Sequence, residues 1–560
     1  MRRIGEAAFK GCSTLTEVIF AEDSLLDIID KDAFSGCSLL GSIHIPNGVR
    51  TLGDSAFSGC SSTTTVVVPA SVNSIGESVF KGCSGELTLN VDVADAASST
   101  EGAFHGNNFT KVVIGSGVDH IGAYAFSDSN TIQSVEMCAD IATIGDYAFN
   151  GCSALDAVTL PNGVTTIGNN AFSGCSALTS LAIPQSVETI GNAAFGSCYA
   201  LTELAFAEDA QLSTIGDYAF NGCNLITKID IPAGVNTIGE GAFSGCSNVA
   251  KFVIPDSVTN IGKSAFKGCA GELVLNVDVA NVESGADSIF YGSKFSNVTV
   301  GAGVSEIGDY AFSGCNTIQS IELGAKVTTI GKYAFNECTS LGSVAVPKAV
   351  TTIGAAAFKG CLALADATFA EESLLGEISE ESFSGCSSLK SVAIPALVTA
   401  LGDSAFYGCV ALEAVNIPAG VKSIGEAAFL GDSAIATITF AEESVLDSIG
   451  KEAFRNCSKV RFVEIPNSVT VIAESAFSGC VSLVNAILGT GMQSIGNTAF
   501  YGCNRLGIVY SNAIEPPVLG EKVFDDCAEE LTIYVPSSSL ADYKAEWVDY
   551  VRKIVISELE

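Results

Sequence analysis

A phenylalanine returns at a near-constant interval along this 560-residue chain, at Phe9, Phe34, Phe57, Phe80 and so on to Phe524, and marks 23 copies of one unit. The unit reads roughly V-T-x-I-G-x-x-A-F-x-G-C-x-x-L-x-x-V-x-I-P. Its centre, IGDYAFNGC, is written identically at residues 144–152 and 215–223. A period this short cannot give each copy its own core. Each unit must bury its apolar face against the next, so the chain is expected to be a solenoid rather than several globular domains.

One unit reads as one coil. The stretch LDAVTLP (155–161) alternates at period two, as a half-buried strand does, and the proline ends it. The following V-T-T-I-G (164–168) turns the chain back. Glycine follows Ile or Leu in 18 of the 23 units, which suggests a conformation that penalises a side chain. The A-F-x-G-C segment is a second corner. Within the phrase, Ile and Phe are expected to face inward, Asp and Tyr outward, and Cys to plug the corner. Stacked coils would align their strands as a parallel sheet, roughly 4.8 Å per coil and about 110 Å in all. The phenylalanines would form an inner column.

The A-F-x-x-C segment followed by L-x-x-V-x-I-P resembles the BspA-like class of leucine-rich repeats, over nearly the whole chain. The resemblance implies a right-handed leucine-rich-repeat solenoid of about 23 coils, predominantly β within the α/β repeat class, with a parallel sheet on one face. It also implies a protein-binding or adhesion role at a cell surface or in secretion, toward extracellular-matrix or cell-surface proteins. An intracellular interaction scaffold is the alternative.

The repeated cysteine decides how much chemistry the phrase could carry. Of 20 cysteines, 19 sit three residues after the landmark Phe, and Cys138 is the exception. Cysteines a whole unit apart are unlike C-x-x-C zinc sites. Neighbouring coils could bring thiols within disulfide range. Yet the uninterrupted run Cys315, Cys338, Cys361, Cys386 and Cys409 is odd in number and cannot pair off completely. Asn107, Ser129, Ser293 and Asp432 replace cysteine elsewhere, all small and polar. The preferred reading is a free buried thiol; disulfides and metal ligation are the alternatives. His44, His105 and His120 have no fixed relation to a repeated Ser or Cys. No G-x-S-x-G, phosphate loop or H-E-x-x-H occurs. No enzyme activity, cofactor or metal is expected. The net charge of −35 repels phosphate backbones and anionic lipid, so nucleic acid is a poor partner. No apolar run is long enough to span a membrane.

Where the phrase breaks, function is more legible. Blocks recur at one fixed offset: GELTLNVDVA (85–94) returns as GELVLNVDVA (271–280), and FAEDS (20–24) as FAEDA (206–210). Eight coils are read as one duplicated block. The two GEL coils lack the proline and the I-G corner. Their Asp92 and Asp278 are candidate partner contacts, and calcium fits them poorly because no EF-hand spacing is present. The solenoid is assigned to residues 1–510, and a last irregular coil with a C-terminal cap to 511–560. In the cap, Leu540, Tyr543, Trp547 and Val551 are expected on the inner face of a short helix with a Ser N-cap. Met1 opens inside a coil, so an N-terminal cap is expected upstream or on another chain.

The outward strand positions are mostly small and neutral. They are richer at Lys228, Asp230, Lys251 and Val253, and again at Arg461, Phe462 and Glu464. These are the candidate contact residues of a face otherwise poor in aromatic or Arg anchors.

Overall fold

A computed structural model describes residues 1–21, 23–138 and 141–557. It divides into two compact units, Met1–Glu272 and Leu273–Glu560. Each is a parallel-strand β-solenoid. The expected strand recurs from coil to coil as a short segment with inward and outward residues alternating. Ser180–Ile183, for example, buries Leu181 and Ile183 and exposes Ser180 and Ala182. It pairs in register with Glu203–Phe206 of the next coil.

The structure adds a second parallel ladder where only a turn was expected. The T-I dipeptides are two-residue strands, and they pair from Thr143 through Thr166, Thr189, Thr214 and Thr237 to Asn260. Two β-branched residues in succession favour extended backbone, and the neighbouring coil supplies the partner.

The landmark rings stack as expected. In the first unit Phe9 to Phe266 form a continuous column, with centroids 4.7–5.8 Å apart. In the second unit Phe290 to Phe524 do the same at 4.6–5.5 Å. The rings are near-parallel and offset, the arrangement their quadrupoles prefer.

The glycine after Ile answers a different need from the one expected. Its φ is not positive. A Cβ on Gly168 would lie 2.6–2.7 Å from Asp146 and Gly145 of the preceding coil. Close approach of two backbones, not an unusual conformation, excludes the side chain. Left-handed backbone occurs instead at two other positions per coil. One is the glycine before Cys, such as Gly174 with φ 76°. The other precedes Ala-Phe and is seldom glycine: Tyr147, Tyr218 and Tyr310 sit there at φ 56–58°. This turns the tyrosines outward, where Tyr124 stacks on Tyr147 and Tyr310 on Tyr333.

The Asp of the phrase is not idle on the surface. Asp146 Oδ1 accepts the Asn169 amide of the next coil, Asn169 Oδ1 that of Asn192, and Asn192 Oδ1 that of Asp217. An Asx ladder thus satisfies amide groups that the tight corner leaves unpaired.

The cap departs from the expected helix. Leu540–Glu546 is helical, but Ser539 makes no side-chain cap bond. Beyond Trp547 the chain tightens to a 3₁₀ turn, Val548–Lys553. That shift in period buries Tyr550 and leaves Val551 exposed. Tyr543 and Trp547 are buried as expected, and Trp547 Nε1 donates to the Pro517 carbonyl at 2.8 Å.

Candidate functional site

The repeated cysteine is the first candidate to place. All 20 cysteines are free thiols, and most are fully buried. Thiols in the columns donate to the carbonyl of the Phe one coil back: Cys152 to Phe126, Cys175 to Phe149, Cys338 to Phe312, at 3.2–3.3 Å. Burial pushes Cys175 and Cys361 up to about 12, whereas Cys60 is shifted the other way by its hydrogen bond with the Cys83 thiol. A nucleophilic or metal-binding cysteine needs a downward shift, toward thiolate. The thiol is a small donor that closes the corner's hydrogen bonding. Among the described residues no cluster of three His, Cys, Asp or Glu side chains could hold a metal ion.

Asp432 stands where the column expects Cys, with neither carboxylate oxygen in hydrogen-bonding geometry with any donor. It is fully buried, and that burial pushes its carboxyl up to about 9.

The two duplicated aspartates have backbone partners. Asp92 Oδ1 accepts the amides of Asp119 and His120. In the next coil the corresponding amides, Ala142 and Thr143, donate to the Asp119 carbonyl. The carboxylate replaces a main-chain oxygen that the irregular coil cannot present. Asp278 does the same for Ser305 and Glu306, and also accepts the Ser305 hydroxyl. Burial opposes it, but those donors hold the Asp278 carboxyl below its usual range.

Of the strand-face candidates, Lys228 and Asp230 pair with each other at 2.6 Å on exposed positions, in a segment without assigned strand. Lys251 reaches Glu272 at 3.9 Å, and Val253 is exposed beside it. This patch lies in the first unit and lines neither of the two cavities described next.

Arg461, Phe462 and Glu464 are different. They line a groove of ≈ 990 Å³ in the second unit. Its floor is set by strand register. Phe462 lies beside Asn485, then Ile508; Glu464 lies beside Ile487, then Tyr510 and Tyr534. Of these neighbours Ile487 and Tyr510 line the groove, so its floor turns apolar and then aromatic, and Tyr510 stacks on Tyr534 at 4.9 Å. Phe462 is 44 % exposed, a large apolar side chain only partly covered by its own chain. The rim is polar, with Asn467, Thr490, Asn512 and Ser538. An aromatic floor with a polar rim is the anatomy of a recognition surface.

One wall of this groove is Ala441, Glu442 and Ser444. These belong to a longer loop that starts with the sequence F-A-E. A second cavity, ≈ 380 Å³ in the first unit, is walled by Ala207, Glu208 and Gln211 of another such loop. The signal for these walls was present in the period. The four longest steps between landmark phenylalanines end at Phe34, Phe220, Phe383 and Phe454, and each contains F-A-E followed by Asp or Glu. The extra residues lengthen the loop after the strand, and the loop stands up as a wall.

A profile of the BspA type Leucine rich repeat region matches the chain in six copies, over residues 1–99, 97–224, 142–273, 273–375, 372–458 and 447–546. Among solved structures, a leucine-rich repeat protein from Bacteroides ovatus is similar at 20 % identity, over 88 % of this chain and 92 % of that one, with a TM-score of 0.30. A leucine rich cell surface protein from Faecalibacterium prausnitzii is similar at 25 % identity, over 68 % and 88 %, with a TM-score of 0.28. One from Eubacterium ventriosum, a leucine-rich repeat protein, is similar at 22 % identity, over 66 % and 90 %, with a TM-score of 0.31. No curated protein sequence matches the chain. With the repeat profile running from its first coil into its cap, the chain belongs to the BspA-type leucine-rich repeat family.

Proposed function

We propose that this chain is a non-enzymatic protein-binding solenoid whose principal contact is the groove at Arg461, Phe462 and Glu464. Leucine-rich repeat proteins are generally protein-binding. The observation that carries the finer reading is exposed Phe462, beside Arg461 and above an aromatic floor. Aromatic and Arg side chains dominate the energetics of protein interfaces. Most other outward strand positions are small and neutral, so they supply breadth rather than affinity.

Adhesion at a cell surface is the setting we favour, on the family-level expectation. No helix among the described residues is long and apolar enough to cross a membrane. The test is capture of extracellular-matrix and cell-surface proteins by the purified chain, with Phe462→Ala in parallel. Specific capture lost at least tenfold in the variant supports the reading. Capture unaffected by the variant places the contact elsewhere.

The thiol columns favour a second setting, a scaffold in a reducing compartment, where unpaired cysteines are usual. Surface biotinylation of intact producing cells separates the two: labelled chain excludes the intracellular scaffold.

A further inference from the structure

The four F-A-E loops differ in one respect. In the third, Glu372 is held by Lys348 of the preceding coil, Nζ to Oε2 at 2.5 Å. Lys348 precedes the loop phenylalanine, Phe369, by nearly one unit. The same count back from Phe440 reaches Ala419, and from Phe206 it reaches Gln185. The fourth loop thus presents Glu443, the counterpart of Glu372, and Glu442 without the lysine that its sister loop carries. Both are exposed. Glu442 lines the groove on its loop wall and Glu464 on its strand floor, against one lining cation, Arg461. The surrounding chain carries 62 acidic residues against 27 basic ones, so its field adds to this bias.

We propose that the groove takes a lysine- or arginine-bearing protein segment, its cation at Glu442 on the groove wall, with Glu443 next to it just outside the lining, and its apolar side chain on Phe462 and Tyr510. Lys348 against Glu372 is the in-chain form of the same contact. The inference rests on the protein-binding reading above and names the partner's chemistry. Arg461 at the edge then meets the carbonyls or an acidic residue of the segment, which sets its direction.

The test uses the full chain and three fluorescein-labelled decapeptides that alternate an aromatic residue with Lys, with Glu or with Ser. Fluorescence polarisation at low and at raised salt reads affinity. The lysine peptide should bind at least tenfold more tightly than the glutamate peptide, and the preference should shrink with salt. Phe462→Ala should weaken it about tenfold or more. Ala419→Lys should block it by supplying the in-chain lysine, while Lys348→Ala, at the already paired loop, should leave this groove unchanged. Equal binding of all three peptides, preference for glutamate, no binding of any, or insensitivity to Ala419→Lys overturns the inference. Glutamate preference that still depends on Phe462 overturns the charge assignment and leaves the protein-binding reading standing. Matrix-protein capture indifferent to Phe462→Ala removes the groove as the contact as well.

Discussion

At the scale of the residue, two glycines per coil look alike in the sequence and differ in cause. A Cβ on Gly168 would meet backbone of the preceding coil, Asp146 N and Gly145 C, at 2.7 Å, which no rotamer change relieves. Gly174 has room around its Cβ position, 3.6 Å to Gly151, but sits at φ 76°. Gly168→Ala should therefore cost about 3 kcal/mol as overpacking. Gly174→Ala should cost about 1–2 kcal/mol as left-handed strain. Gly174→Asn should be milder still, because Asn456 already holds that position at φ 63°. Chemical denaturation of the three variants checks the order. Asp432 is the residue the column tolerates worst. Its folded carboxyl titrates near 9 against an ordinary value of 3.8. A raised carboxyl costs nothing below the unfolded value, and stability falls as pH rises from about 4 toward 9, because only the unfolded chain gives up its proton there. At pH 7 that penalty is at most about 4 kcal/mol, and at pH 5 about 1–2 kcal/mol. Asp432→Cys should raise stability by part of this amount, with the gain larger at pH 7 than at pH 5. An equal gain at both pH values would place the cause in packing.

At the scale of the element, the coil is the unit of stability, because each coil touches mainly its neighbours. Phe172 is fully buried between two rings, whereas Phe9 at the start of its column is 40 % exposed. Phe172→Ala should cost about 3–5 kcal/mol and Phe9→Ala clearly less. Hydrogen exchange should rise in the coils next to residue 172 and remain unchanged several coils away. A global loss of protection would deny the quasi-one-dimensional picture. The strand and the ring column were legible in the sequence because both follow from periodicity: LDAVTLP alternates, and Phe returns on schedule. The T-I ladder was not, since two residues carry no period of their own and are strands only because an identical pair lies beside them. The Asx ladder from Asp146 to Asp217 was hidden for the same reason: the acceptor and its amide lie one coil apart. Tyr550 was missed because a 3₁₀ turn changes the spacing that an α-helical reading assumes.

At the scale of the whole molecule, repetition is architecture and departures from it are where recognition is to be sought. The Arg461, Phe462 and Glu464 cluster was visible as larger side chains on a bland face. The groove around it was not, because its wall is a slightly longer loop, a change in period rather than in residue type. The irregular coils at Asp92 and Asp278 look like sites in the sequence, and in the structure their carboxylates accept backbone amides of the next coil. The cysteines are the broadest instance of the same lesson. Nineteen identical placements suggest chemistry, yet the buried thiols bond to phenylalanine carbonyls, and burial pushes thiols such as Cys175 away from the reactive form. Thiols should be counted with a chromogenic disulfide reagent on the full chain, purified without reductant under inert gas, before and after denaturation. In the native protein only exposed Cys12, with slower reaction at half-buried Cys138 and Cys527, should respond. After denaturation nearly all 20 should react. A denatured count that stays low, with the missing thiols recovered only by a reductant, would mean that the coils are cross-linked and would contradict the hydrogen-bonded column.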